Sequence, residues 1–232
     1  MKPRQVVSIV AAALVVGVLG SCASTELAYH SFERESLRMV VRVAPDARVD
    51  ADYFITIDPN DPVGTIISIG SSVVKASQVE NAQRRMDVAL RELDVQSIME
   101  DEVGGYFQDV MEMRLTDSRR NASYYLSVEV REYGIEASGP GSSIEFVLSG
   151  SAELYDTATD DRIWRDRFSR SLRVSPSFFG LPSSAGNVVS AAMLSDLTEE
   201  QIADGIERVT REAAWEVGRE FEDDLYRARR RR

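Results

Sequence analysis

The chain has 232 residues, 38 acidic against 27 basic side chains for a formal charge of -11, 44% hydrophobic residues and one cysteine. That length holds one domain of ordinary size with its own core, and its negative surface repels nucleic acid, which excludes a nucleic-acid partner. A single cysteine excludes an internal disulfide and a cysteine-based metal site, so the fold stands on packing.

Residues Met1 to Cys22 combine Lys2 and Arg4, an apolar run from Val6 to Leu19, and small residues before Cys22. This is the pattern of a secretory signal. The apolar run is about 14 residues long, short of the roughly 20 needed to span a bilayer. The motif Leu19-Gly20-Ser21-Cys22 resembles the bacterial lipobox. In that family the cysteine sulfur receives a diacylglycerol, the signal is cut just before it, and the new amino terminus usually gains a further acyl chain. The resemblance therefore implies lipid attachment at Cys22, with the multiple chains that give stable anchoring. Ala23 and Ser24 follow Cys22, where an inner-membrane lipoprotein of this type would carry aspartate. By resemblance, the expected site is the outer membrane, facing the periplasm, ahead of the inner membrane.

The resulting organisation is a signal peptide over 1–21, a lipidated cysteine and tether over 22–36, a single domain over 37–226, and an arginine-rich tail over 227–232. From Ala23 to Glu35 the chain is polar and unperiodic. As a tether, at about 3.3–3.6 Å per residue, it would hold the domain up to about 45 Å from the membrane. His30, the only histidine, falls here as a plain tether residue, and alone it supplies neither a Ser/His/Asp relay nor a His-rich metal site.

The runs Leu37 to Val43 and Arg48 to Ile57, the second alternating apolar and polar residues around Val49, Ala51, Tyr53, Ile55 and Ile57, read as strands. With Pro45-Asp46 between them, they predict a β-hairpin. Asp61 is placed to cap a helix with Pro62 at its first position. The Gly- and Ser-dense stretch Val63 to Ser77, containing Ile66, Ile67 and Val73, then reads as a close-packed helix, a mobile lid or a partner patch, the first being preferred. Ala82, Met86, Leu90 and Leu93 mark an amphipathic helix. A second one from Val95 carries Ile98, Met99, Val103, Tyr106, Phe107, Val110 and Met111, with Gly104-Gly105 placed to kink or split it.

Tyr124, Leu126, Val128 and Val130 alternate with Tyr125, Ser127, Glu129 and Arg131. Ile144 to Leu154 and Trp164 to Val174 repeat the pattern beyond turn-forming stretches, so the three runs predict an antiparallel meander with one wet face. The segment Leu154-Tyr155-Asp156, Thr159-Asp160, Trp164 resembles the Leu-x-Asp-x-x-Thr-Gly-x-x-x-Trp hairpin of curli-secretion, penicillin-binding-protein-activator and ABC-transport-auxiliary lipoproteins. The family glycine is Asp160 here, a residue that also tolerates the left-handed turn. That resemblance implies helices on one face of a sheet. Asp156, Asp160 and Asp161 lack further oxygen donors at calcium-loop spacing, and are expected to form a solvated turn.

Pro176 to Ser195 is a second Gly/Ser/Ala-rich apolar stretch, with Phe178, Phe179 and Val188. Thr198 and Gln201 form a capping box, with Leu197 and Ile202 as a hydrophobic staple. Ile202, Ile206, Val209, Ala213, Val217, Phe221 and Leu225 then make the apolar stripe of a last helix lying on the sheet.

The expected fold is α+β: an antiparallel sheet, made of the N-terminal hairpin and the meander, with helices packed on one face. No nucleophile relay is visible and no carboxylate pair stands out for glycosidase chemistry, so no catalysis, cofactor or metal is expected. The expected role is a non-enzymatic accessory or scaffold lipoprotein of the cell envelope. It is held at the membrane by Cys22 and docks an envelope protein through Ile66, Ile67, Val73, Phe178, Phe179 and Val188. The alternative is a binding module for lipid or another hydrophobic ligand, with the same two segments lining its pocket.

Overall fold

The computed structural model describes residues 26–51, 55–57, 66–68, 72–137, 144–174 and 197–231. Its elements in chain order are β1 (Ser36–Val43), β2 (Arg48–Ala51), β3 (Ile55–Ile57), β4 (Ile66–Ser68), α1 (Ser72–Ala89), α2 (Val95–Asp109), β5 (Arg114–Leu115), β6 (Tyr124–Ala137), β7 (Ile144–Asp156), β8 (Arg162–Arg173) and α3 (Glu199–Arg230). The architecture is α+β, and its main sheet is mixed.

The meander is present, with β6 antiparallel to β7 and β7 antiparallel to β8. The N-terminal hairpin is not formed. Both β1 and β2 run parallel to β6, pairing Leu37 to Val43 with Tyr124 to Val130, and Arg48 to Ala51 with Gly134 to Ala137. Because β7 occupies the other edge of β6 along its whole length, β1 and β2 lie end to end on the same free edge. A strand of 14 residues, about 45 Å long at about 3.3 Å per residue, has room for both. Pro45-Asp46 therefore makes a jog where a chain reversal is expected.

The jog has a matching irregularity on its partner. The register of β6 shifts between Val130 and Glu132, and the Ala44 N–H donates to the Val130 carbonyl at 2.9 Å. Just beyond, Gly134 has φ 151°, and a Cβ there would collide with the Arg48 carbonyl. Only glycine lets β2 approach so closely. Beside β1, the short β5 adds a further parallel strand, giving the order β5-β1-β6-β7-β8.

The alternating run expected to continue to Ile57 is divided. Ile55 to Ile57 pairs antiparallel with Ile66 to Ser68 in a separate two-stranded ribbon. Ile66 and Ile67 are thus strand residues where a helix is expected, in keeping with the strand preference of β-branched side chains. The helix begins only at Ser72, while Asp61 and Pro62 lie outside the described residues.

The helices cover one face of the sheet. α1 buries Ala82 and Met86, and α2 buries Val95, Met99, Val103 and Phe107. The cap of α2 is Asp94, which accepts from the Ser97 N–H at 3.0 Å, and the helix passes through Gly104-Gly105 unbroken to Asp109. α3 opens with the expected capping box: Thr198 Oγ1 accepts from the Gln201 N–H at 3.2 Å and Gln201 Oε1 from the Thr198 N–H at 2.9 Å. Leu197 and every residue of the predicted stripe from Ile202 to Leu225 are buried. At about 1.5–3 kcal/mol for each large apolar side chain removed from water, that stripe is the main force holding α3 on the sheet. Gly205 is where the helix touches it, since a Cβ there would overlap the Phe146 ring.

Two boundary expectations change. Residues 26–35, expected as tether, are packed: Leu27 and Phe32 are each 1% exposed. The Phe32 ring lies 4.8 Å from Tyr124 and 5.1 Å from Phe221, so an apolar contact holds the segment down. The arginine run expected as a tail is helical through Arg230. Its charges sit at the C-terminal end of α3, where the helix dipole favours cations.

Candidate functional site

The sequence-predicted positions are not brought together by the described residues. Cys22, Phe178, Phe179 and Val188 lie outside them. Ile66 and Ile67 lie on β4 and Val73 in the first turn of α1, with side chains outside the description. Among the described residues no helix is long and apolar enough to cross a membrane.

What the fold does assemble is the outward face of the sheet, opposite the helices. The pleat sends Leu126, Val128, Leu148, Ala152 and Leu154 inward, where they are buried, and turns the alternate residues out. Registers of the three central strands place Tyr125 opposite Tyr155, Ser127 opposite Glu153, and Glu129 opposite Ser151. Arg42 of β1 stands beside Glu129, and Arg165 and Arg167 of β8 stand beside Glu153 and Ser151.

The Tyr125 end of this face is a groove of about 350 Å³, lined by Arg42, Arg119, Tyr125, Ser127, Glu129, Arg131, Ser151, Glu153, Tyr155 and Asp160. Its Arg119, Glu129, Arg131, Glu153 and Asp160 are each held by a partner. Arg131 donates to Glu129 at 2.9 Å and to Ser151 Oγ at 3.1 Å. Arg119 donates to Asp160 at 2.6 Å and lies 5.1 Å over the Tyr125 ring. The Tyr155 hydroxyl donates to Glu153 at 2.6 Å. That bond, helped by the Arg162 and Arg165 charges and opposed by burial, holds the Glu153 carboxyl below its usual range. The same bond raises the Tyr155 phenol. Glu153 is therefore ionised at neutral pH, and the groove offers fixed charge and hydroxyl groups to a polar partner.

The second assembled region is the end of the domain where residues 26–35 meet the β7–β8 turn and the end of α3. Tyr124 donates to the Ser31 carbonyl at 2.9 Å, and burial, then the charges of Asp156 and Glu35, push its phenol up to about 12. His30 Nδ1 is 3.5 Å from Asp156, so the histidine expected in a free tether is fixed against the fold. Asp156 also accepts from the Ala158 N–H at 2.7 Å, closing the turn, and Asp160 has φ 62°, the left-handed geometry expected of it. Among the described residues no group of His, Cys, Asp or Glu is arranged to hold a metal ion.

Part of the outward face is legible in the alternation of β6, which separates Tyr125, Ser127, Glu129 and Arg131 from the apolar row. Arg119 and Asp160 are not, because they reach the groove from a one-turn 3-10 helix and a hairpin turn. The packed N-terminal segment is signalled only by Leu27 and Phe32, two apolar residues in a polar stretch.

The fold and its outward groove define the class: an α+β domain with helices on one face of a mixed sheet and a charged, hydroxyl-rich opposite face. No family model and no curated protein matches the chain. Among solved structures it is similar to XCC0632 of Xanthomonas campestris, described with the DUF330 family, at 13% identity over 83% of this chain and 86% of that one, TM-score 0.44. It is similar to a candidate lipoprotein of Caulobacter crescentus at 18% identity over 58% and 86%, TM-score 0.33. A third similarity is to lipoprotein GNA1162 of Neisseria meningitidis at 13% identity over 63% and 90%, TM-score 0.23. Nothing about activity follows from likenesses this distant.

Proposed function

We propose that this chain is a lipid-anchored protein of the bacterial envelope, acylated at Cys22, which presents the outward face of its sheet as a non-enzymatic docking surface for a periplasmic or outer-membrane partner. The observation that carries the reading is the complete lipobox, Leu19-Gly20-Ser21-Cys22, behind a charged start and a short apolar run. Ala23 and Ser24 after the cysteine favour the outer membrane. The outward face supports the docking half. Arg119 with Asp160, Arg131 with Glu129 and Ser151, and Tyr155 with Glu153 are already hydrogen-bonded, a set of fixed charges suited to complementary polar contact. The groove on this face is lined by charged residues, Arg42, Arg119 and Glu153 among them, which speaks for a polar partner there over an apolar ligand.

Metabolic labelling with palmitate tests the anchor. The wild-type chain should take up label and sediment with outer membranes, and Cys22→Ala should take up none. Label that persists in Cys22→Ala, or is absent from the wild type, refutes the anchor. A photo-crosslinker at Ser127 on the outward face, compared with one at Gln96 in α2, tests docking in intact envelopes. A discrete adduct from Ser127 alone is expected, and its absence overturns the docking half.

A further inference from the structure

A tether of thirteen residues would let the domain float in any orientation some 45 Å from the bilayer, but the packed segment leaves far less chain. Ala23, Ser24 and Thr25 alone separate Cys22 from Glu26, after which Leu27 and Ala28 are buried. Four Cα steps reach at most about 14 Å. If Cys22 carries the lipid, the end of the domain that holds residues 26–30 is at the membrane, within about two Debye lengths of its surface.

The chemistry of that end fits the position. The end of α3 is joined to the N-terminal segment by the Phe32–Phe221 contact at 5.1 Å. Arg229 Nη2 also donates to the His30 carbonyl at 3.5 Å. Tyr29 is 64% exposed and Tyr226 61% exposed, with the Arg230 guanidinium 5.6 Å over the Tyr226 ring. Arg227, one turn back, is held by Asp224 at 2.7 Å and Glu220 at 3.6 Å. Among the described residues, Arg229, Arg230 and Arg231 have no carboxylate within ion-pair distance.

We infer that this pole is a membrane-contact surface: Arg229, Arg230 and Arg231 lie against anionic phospholipid head groups, and Tyr29 and Tyr226 sit at the interface. The inference rests on acylation of Cys22. Tyrosine and arginine are suited to that depth, each having an apolar body and a polar tip. Glu26 and Asp161 are exposed carboxylates at the same end and oppose the contact. The body of the protein is strongly acidic and is repelled by the same anionic surface, so the field turns this pole inward and the rest outward. Each arginine close to an anionic leaflet contributes about a fivefold preference, so the three together favour this orientation by about 100-fold.

The test uses the mature acylated chain, in which Cys22 has no free thiol and an introduced cysteine is the only reactive one. Tyr29→Cys, Tyr226→Cys and, at the far end of α3, Glu200→Cys are each labelled with an environment-sensitive fluorophore. The chains are reconstituted in vesicles of phosphatidylcholine with 30% phosphatidylglycerol, and acrylamide quenching is measured. All three sites are exposed, so the fold is retained. Labels at 29 and 226 should be quenched at least about threefold more slowly than the label at 200, as expected for groups at the head-group boundary. That protection should weaken in pure phosphatidylcholine and in the Arg229→Gln, Arg230→Gln, Arg231→Gln variant. Equal quenching at all three sites in a vesicle-bound, acylated chain overturns the inference and leaves the anchor standing. Protection indifferent to lipid charge and to the arginine variant overturns the arginine contact. A mature chain that mass spectrometry finds unacylated and that does not bind vesicles overturns both readings.

Discussion

Replacing Phe32 with alanine separates a packed N-terminal segment from a tether. In a tether the substitution would be silent. In the folded chain Phe32 is 1% exposed, with its ring 4.8 Å from Tyr124 and 5.1 Å from Phe221. Truncation removes the transfer free energy of a buried aromatic and leaves a cavity between residues on β6 and α3, neither of which can collapse far. The expected loss is about 3–5 kcal/mol, a large share of the roughly 5–15 kcal/mol that holds a domain together. At a urea dependence of about 2–3 kcal/mol/M, the unfolding midpoint should fall by about 1–2 M. Trp164 reports the transition by fluorescence, being 4% exposed and 5.2 Å from the Phe221 ring. Tyr29→Ala, three residues earlier but 64% exposed, should stay within about 0.5 kcal/mol of wild type. A Phe32→Ala chain as stable as the Tyr29→Ala chain would refute the packing argument, and with it the short reach from Cys22 to the fold.

Two further substitutions test the helix face. Gly105→Ala meets no atom within 4 Å, so it should stabilise α2 by up to about 1 kcal/mol through helix propensity alone. Gly205→Ala gains the same propensity but drives its Cβ into Phe146, itself 1% exposed. An overpacking cost of about 1–3 kcal/mol should outweigh the gain, and thermal melts of the pair that move in the same direction would refute that account. Asp166 lies on the helix side of β8, where burial, then Glu220 and Asp224, raise its carboxyl above the usual range against the Arg167 N–H and the Arg227 charge. A carboxyl raised by folding costs stability at neutral pH and recovers it as the pH falls through its folded pKa. Asp166→Asn should therefore be more stable than wild type at neutral pH, with the difference closing toward pH 4 in urea titrations. A variant less stable at neutral pH would contradict the sign.

The local signals read correctly because their causes are local. Alternation of period two in β6, β7 and β8 reports which side of a pleat faces the core. The stripe of α3 reports one helix face, and Thr198 with Gln201 report hydrogen bonds spanning a single turn. The turn at Asp156 to Asp161, with Asp160 in the left-handed region, is equally self-contained. The polar row of the outward face was legible for the same reason, as the complement of the apolar row.

Amino-acid order alone thus determined the meander and the capped and striped last helix, and it carries the lipobox-like motif at Cys22 on which the proposed anchor rests. Tertiary structure decided the rest, where two partners compete for the same hydrogen bonds or the same apolar surface. Strands β1 and β2 with a turn between them are compatible with a hairpin, but the long free edge of β6 satisfies both, so the sheet is mixed. Leu27 and Phe32 carry no periodicity, and the groups that bury Phe32, Tyr124 and Phe221, are distant in the chain. Only their convergence in space removes most of the apparent tether and carries the arginines at the end of α3 to the same end of the molecule as the segment leading from Cys22.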